Sequence, residues 1–216
     1  MGKKAVLFDL DGTLIDSSEG IIKSVRYALD HYGMEEPDTE KLYRFIGPPL
    51  SESFQKYYGF TAEKACEAVD VYRERYNKIG IYECSLYPGV EECIRTLKRK
   101  GYRIGMASSK PEESCRRILE HFGILKLFDE VVGATFDGSR DRKEDVLREA
   151  LRRWDDLLAE DMYLIGDTIF DVEGAKAVGM ACVAVTFGFG DVQQMKEAGI
   201  VGICTDMHQL PALIAQ

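Results

Sequence analysis

An apolar run, Ala5-Val6-Leu7-Phe8, ends directly in Asp9-Leu10-Asp11-Gly12-Thr13-Leu14, and this junction constrains the fold more than any other part of the chain. It reads as a buried strand that stops at a glycine turn. Period-two alternation sends Asp9 and Asp11 to the same side of an extended backbone. Two carboxylates held that close repel, so one must be protonated or a cation must sit between them. In open α/β sheets, ligands gather beyond the carboxyl ends of the strands, which is where this pair lies. A solvated Asp-Gly turn would explain the dipeptide alone. It does not explain the segments that follow.

Further short apolar runs near residues 102–107, 130–133, 162–166, 181–186 and 200–204 read as strands, with the first spanning about 4–9. Helical periodicity lies between most of them: Val90, Ile94 and Leu97 after Pro88-Gly89, then Ile118, Leu119 and Phe122 after Pro111, then Val146, Leu147, Ala150 and Leu151 after Lys143. The alternation predicts an α/β fold, a Rossmann-like parallel sheet with helices on both faces. Residues 16–82 break the rhythm, since no second strand is expected for roughly ninety residues, far more than a crossover needs. Within that stretch Ile21, Ile22, Val25, Ala28, Leu29 and Tyr32 recur at helical spacing, with Asp16 and Glu19 in capping-box positions. Ala62, Ala65, Cys66, Val69, Tyr72 and Tyr76 form a second amphipathic face. The expected organisation is an α/β core of residues 1–15 and 83–216, with an all-helical cap of residues 16–82 inserted into it.

Three later segments complete the acidic turn. Tyr102-Arg103-Ile104-Gly105-Met106-Ala107 is an apolar strand ending in Ser108-Ser109-Lys110. Lys143 opens the helical stretch Lys143-Glu144-Asp145-Val146-Leu147. Met162-Tyr163-Leu164-Ile165 runs into Gly166-Asp167-Thr168-Ile169-Phe170-Asp171. With DxDGT at residues 9–13 and GDxxxD at residues 166–171, in this order, the chain resembles the haloacid dehalogenase-like hydrolases. Within them it resembles the phosphatases of the phosphoglycolate phosphatase-like branch, whose helical cap is inserted just after the first motif. The resemblance implies that Asp9 attacks phosphorus and that Asp11 serves as acid and base. It implies Ser108 and Lys143 as phosphate-binding residues, with Lys110 the runner-up cation.

The chemistry of phosphate esters supports those assignments. A carboxylate nucleophile splits one slow displacement into two steps, and a placed acid and base moves the protons. An anionic nucleophile facing an anionic phosphate needs a cation between them, and Mg²⁺, with octahedral oxygen ligation and several retained waters, suits the task. Asp9 and Asp167 are the expected side-chain ligands of Mg²⁺. The resemblance adds Asp11 through its backbone carbonyl, while Asp171 is expected to hold ligand waters. Taken alone, Ser108 would read as a helix cap and Lys143 as a solvated surface residue.

Composition excludes several other classes. The net charge of −9 argues against a nucleic-acid or anionic-membrane surface, and no apolar run is long enough to span a bilayer. The expected partner is a small phosphorylated metabolite. Six cysteines without a C-x-x-C pair, and the absence of a signal peptide before the first strand, point to reduced thiols and a cytoplasmic location. A sugar phosphomutase shares all four motifs, but the cap loop at residues 45–52 offers Leu50 where the resemblance leads one to look for an Arg, with Arg44 nearby. A non-catalytic phosphate-binding regulator would be expected to have lost the nucleophile or a metal ligand, and neither is lost here.

Overall fold

Ala5, Val6, Leu7 and Phe8 form β1 (Ala5–Phe8), and all four are at most 1% exposed. A strand buried on both faces needs strands beside it and helices above and below. The computed structural model, which describes residues 3–215, supplies both. After β1 come β2 (Ile15–Asp16), α1 (Ser18–His31), α2 (Thr39–Leu42), α3 (Leu50–Tyr58), α4 (Ala62–Tyr76) and β3 (Ser85–Leu86). The chain continues through α5 (Val90–Arg99), β4 (Arg103–Pro111), α6 (Glu112–His121), β5 (Glu130–Ala134), α7 (Lys143–Arg153) and β6 (Met162–Gly166). It ends with α8 (Ile169–Val178), β7 (Ala181–Val185), α9 (Val192–Ala198), β8 (Gly202–Cys204) and α10 (Leu210–Leu213). The expectation of no signal peptide rests partly on Met1 and Gly2, which lie outside the described residues.

The main sheet is parallel, in the order β5-β4-β1-β6-β7-β8. Strand order reverses at β1, so the crevice beyond its carboxyl end is a topological switch point, where this architecture binds ligands. Phe8 pairs with Met106 on one side and Ile165 on the other. Asp9 and Asp167, just past β1 and β6, are therefore neighbours of Ser108, two residues beyond Met106 within β4. Ala5 and Leu7 pack with Val146, Leu147, Ala150 and Trp154, and each fully buried Val or Leu among them contributes about 1.5–3 kcal/mol. Trp154 is 3% exposed. The sheet is α/β with helices on both faces, as the alternation predicted.

The chain divides into two units, Met1–Ile15 with Leu86–Gln216, and Asp16–Ser85. The second is helical. Gly20 N–H donates to the Glu83 carbonyl at 3.0 Å, and Arg75 pairs with Glu83 at 2.7 Å, joining α1, α4 and the return segment. Within it Phe54 stacks on Phe60 and meets Phe45 edge to face. Three local details differ from expectation. Helix α1 starts at Ser18 behind Ser17, which makes no side-chain cap bond, while Asp16 accepts from the backbone N–H and the hydroxyl of Ser18. The Asp16/Glu19 capping box is thus replaced by an Asx turn. The strand expected near 102–107 runs on to Pro111, which also caps α6. Helix α3 had no counterpart in the pattern reading; its nine residues bury only Ser53 and Phe54.

Candidate active site

The alternation that buries Leu7 toward α7 carries Asp9 to the same side, where α7 begins with Lys143. Lys143 Nζ lies 2.7 Å from Asp9 Oδ1, 2.8 Å from Asp171 Oδ1 and 3.0 Å from the Ala107 carbonyl oxygen, to which it donates. The ammonium thus donates one hydrogen bond to the Ala107 carbonyl and forms ion pairs with both carboxylates. Its side chain is 4% exposed, so the solvated-surface reading of this lysine does not hold. Burial works against its charge, yet the nearby Asp171 and Asp9 carboxylates outweigh that and hold it above the ordinary lysine value.

Asp167 is fully buried at the end of β6. Its Oδ1 accepts from the Thr13 hydroxyl at 3.1 Å and its Oδ2 from the Phe189 backbone N–H at 2.8 Å. Burial, then the Asp171 and Asp9 charges, push its pKa well above the ordinary carboxylate value, against those two hydrogen bonds. Asp9 behaves alike: burial, with Asp171 and Asp11, outweighs the downward pull of Lys143 and leaves it raised to about 6. Two glycines make this crowding feasible. Gly12 holds φ +77°, and a Cβ there would overlap the Asp167 carboxylate. A Cβ on Gly188 would overlap both Asp167 and the Gly12 carbonyl.

Asp171, in the first turn of α8, accepts from the Thr168 N–H at 3.0 Å and hydroxyl at 2.9 Å through Oδ2, and turns Oδ1 to Lys143. Asp11 turns elsewhere. Its Oδ2 meets Lys110 Nζ at 2.6 Å, with side-chain exposures of 15% and 7%. Ser108 is 2% exposed, and its hydroxyl accepts from the Lys110 backbone N–H at 3.3 Å. It does not cap α6, which begins four residues later. The structure therefore brings together Asp9 and Asp167 from the ends of β1 and β6, Ser108 from within β4, and Lys143 and Asp171 from the first turns of α7 and α8, with Asp11 beside Lys110. Thr13, quoted above only as part of the first motif, and Gly188 and Phe189 also shape the site. The Phe189 contribution is a backbone N–H, and such a donor leaves no mark in a residue pattern.

Asp9, Asp167 and Asp171 each offer a carboxylate oxygen within 4.8 Å of the others, a spacing compatible with one hard divalent cation. The charge count agrees. Among the described residues four carboxylates, those of Asp9, Asp11, Asp167 and Asp171, face two paired ammonium groups, Lys143 and Lys110. With all four ionised, two negative charges would be left unpaired, a charge that a dication would balance. The all-oxygen donor set thus fits a hard metal ion and would not favour a soft one.

Comparison with known proteins agrees with this geometry. The haloacid dehalogenase-like hydrolase family model matches residues 6–185. A 5'-nucleotidase of Pseudomonas aeruginosa is 40% identical over 205 residues, covering 95% of this chain and 92% of that protein. The tyrosine-protein kinase PtkA of Mycobacterium tuberculosis is 41% identical over 185 residues, 86% of this chain, and the match spans 62% of that longer protein. The crystal structure of a predicted phosphatase from Clostridium acetobutylicum superposes with a TM-score of 0.94 at 40% identity, covering 98% of each chain. Phosphoglycolate phosphatases also stand among the relatives. The chain belongs to the haloacid dehalogenase-like hydrolases and is a phosphatase of that family.

Proposed function

We propose that the chain is a Mg²⁺-dependent phosphomonoesterase that hydrolyses a small phosphorylated metabolite through a phosphoenzyme on Asp9. The observation that carries this reading is the convergence of Asp9, Asp167 and Asp171 within 4.8 Å at the switch point of the sheet. Asp9 and Asp167 would hold the metal by their side chains and Asp11 by its backbone carbonyl, with Asp171 fixing Lys143. Bound Mg²⁺ would neutralise the repulsion between the nucleophile and the phosphate.

Asp9 attacks phosphorus in line, the ester P–O bond breaks, and the departing alkoxide takes a proton from the Asp11 carboxyl. Asp11, now a carboxylate, takes a proton from a water as that water attacks the phosphoaspartate. The bond to Asp9 then breaks and inorganic phosphate leaves. Ser108 and Lys143 hold the phosphoryl oxygens, Lys143 exchanging its Ala107 carbonyl partner for one of them. The helical unit Asp16–Ser85 selects the substrate.

The relatives' names favour a nucleoside 5'-monophosphate, with phosphoglycolate and sugar phosphates next. A second reading is transfer of the phosphoryl group to an acceptor other than water, as the names of the kinase relative and the phosphomutase alternative suggest. Mg²⁺-dependent release of phosphate from p-nitrophenyl phosphate, compared with Asp9→Asn, tests the hydrolytic reading. A panel of nucleotides, phosphoglycolate and sugar phosphates at one concentration then ranks the substrates. Product that carries phosphate on an added hydroxyl compound, with little free phosphate, would move the chain to the second reading. The free state of all six cysteines favours a reducing, cytoplasmic setting. No helix among the described residues is long and apolar enough to cross a membrane.

A further inference from the structure

We infer that Lys110 is a positioning residue that divides the two oxygens of Asp11, holding Oδ2 so that Oδ1 alone exchanges the proton. The inference rests on the acid and base role proposed for Asp11 and adds which oxygen acts and what selects it. Three observations carry it. Lys110 Nζ sits 2.6 Å from Asp11 Oδ2, in a pair whose side chains are 7% and 15% exposed. Asp11 Oδ1 is buried and has no hydrogen-bond partner among the described residues, although buried carboxylate oxygens are ordinarily satisfied. One oxygen is thus tied and its twin left for the reaction.

The third observation is how the fold delivers Lys110 to that place. The register between β4 and β5 shifts between Ser108 and Pro111, so the chain bulges at the lysine. Gly133 of β5 allows the bulge, since a Cβ there would overlap the Glu112 backbone and the Lys110 carbonyl. Cys115, fully buried in α6, directs its thiol to that same carbonyl at 3.6 Å. The Lys110 backbone is therefore held from two sides. An ammonium on a flexible four-carbon stem gains precision when its backbone is fixed, and a misplaced proton donor loses most of its effect.

The leaving group provides the test. Proton donation by Asp11 matters most when the leaving oxygen is basic. The ratio kcat/KM reports steps up to departure of that group, not the later hydrolysis of the phosphoenzyme. Phenyl phosphate and p-nitrophenyl phosphate differ little in shape but greatly in leaving-group basicity. Lys110→Met should lower kcat/KM for phenyl phosphate about 10-fold or more beyond its loss on p-nitrophenyl phosphate. Lys110→Arg should restore most of the ratio between the two substrates. In the Asp11→Asn background, Lys110→Met should add no further selective loss. That double variant also leaves no charge of the pair unmatched, so it remains informative if the single variant melts early. Equal losses on both substrates would make Lys110 a contact of the phosphate or of the packing and overturn the inference. So would a selective loss in Asp11→Asn that is absent from Lys110→Met. If Asp11→Asn itself showed no selective loss, the acid role of Asp11 would fall instead, a distinct outcome.

Discussion

The Thr13 hydroxyl donates to Asp167 Oδ1 at 3.1 Å, so the turn that carries Asp9 and Asp11 is fastened to the carboxylate at the end of β6. Phe189 N–H holds the other oxygen at 2.8 Å. A carboxylate fixed at both oxygens keeps its orientation even where burial and neighbouring charge disfavour its ionised form. Such preorganisation costs stability in the metal-free protein and is recovered when a cation binds.

Asp9→Asn should abolish turnover and stabilise the metal-free protein at neutral pH. Burial, the largest influence, holds Asp9 at about 6 against an ordinary 3.8, so the native state binds this proton more tightly than the unfolded chain. The sign follows: the contribution is full below about pH 4 and is lost as pH rises through about 6. In EDTA, the Tm advantage of Asn over Asp should be largest near pH 7–8 and shrink toward pH 4. In a chain of this size about 1 kcal/mol moves Tm by ~2–4 °C. A gap that did not change with pH would remove the burial argument, and wild-type turnover in Asp9→Asn would remove the phosphoenzyme.

Asp167→Ala should raise the Mg²⁺ requirement steeply or abolish activity. Ca²⁺ should support turnover poorly, because its longer and more numerous ligand bonds disturb in-line attack by Asp9. Titrating activity against Mg²⁺ in the wild type and the variant checks the first claim, and substituting Ca²⁺ checks the second. Full activity in excess EDTA would exclude a metal from the mechanism and with it the assignment of Asp167.

Gly12→Ala and Gly188→Ala should both damage the site, for different reasons. At Gly12 a side chain meets an unfavourable φ of +77° as well as the Asp167 carboxylate, so a stability loss of about 1–3 kcal/mol is expected. No positive φ is recorded at Gly188, so its effect should come from displacing Asp167. Denaturant midpoints should therefore fall more for Gly12→Ala. Weaker Mg²⁺ affinity should appear in both, and a Gly188→Ala variant that binds Mg²⁺ as the wild type does would contradict the crowding described.

The strands were legible because parallel strands buried on both faces read as unbroken apolar runs, as in Ala5–Phe8 and Ala181–Val185. The carboxylates of the first and fourth motifs were legible because chemistry demands those residue types at strand ends. Lys143 was legible only through its place in the motif order, since nothing local separates a buried lysine from a solvated one. The pairing of Lys110 with Asp11 was not visible, because it depends on a bulge in β4. Nor were the hydrogen bonds to Asp167, one of which comes from a backbone N–H. Helix α3 escaped because a nine-residue helix that buries two side chains carries too little periodicity.

The last prediction concerns the helical unit, which we propose governs substrate choice. Its residues Gly47-Pro48-Pro49 lead into α3, with Pro49 as the N-cap at φ −56°, and Arg44 lies over the Tyr57 ring at 5.6 Å. Both features also suit a purely structural turn within the unit, so the experiment must separate the two roles. If the loop reads the substrate, Arg44→Ala and Pro49→Ala should change relative kcat/KM among phosphorylated metabolites several-fold while leaving Mg²⁺ affinity nearly constant. If it only packs, loss of the cation–π contact should cost about 0.5–1 kcal/mol, and activity should fall equally on every substrate. The measurement is therefore a substrate panel run beside thermal melts of each variant. Uniform loss that follows Tm would establish the packing role and sink the specificity claim, because a stability defect cannot reorder substrates.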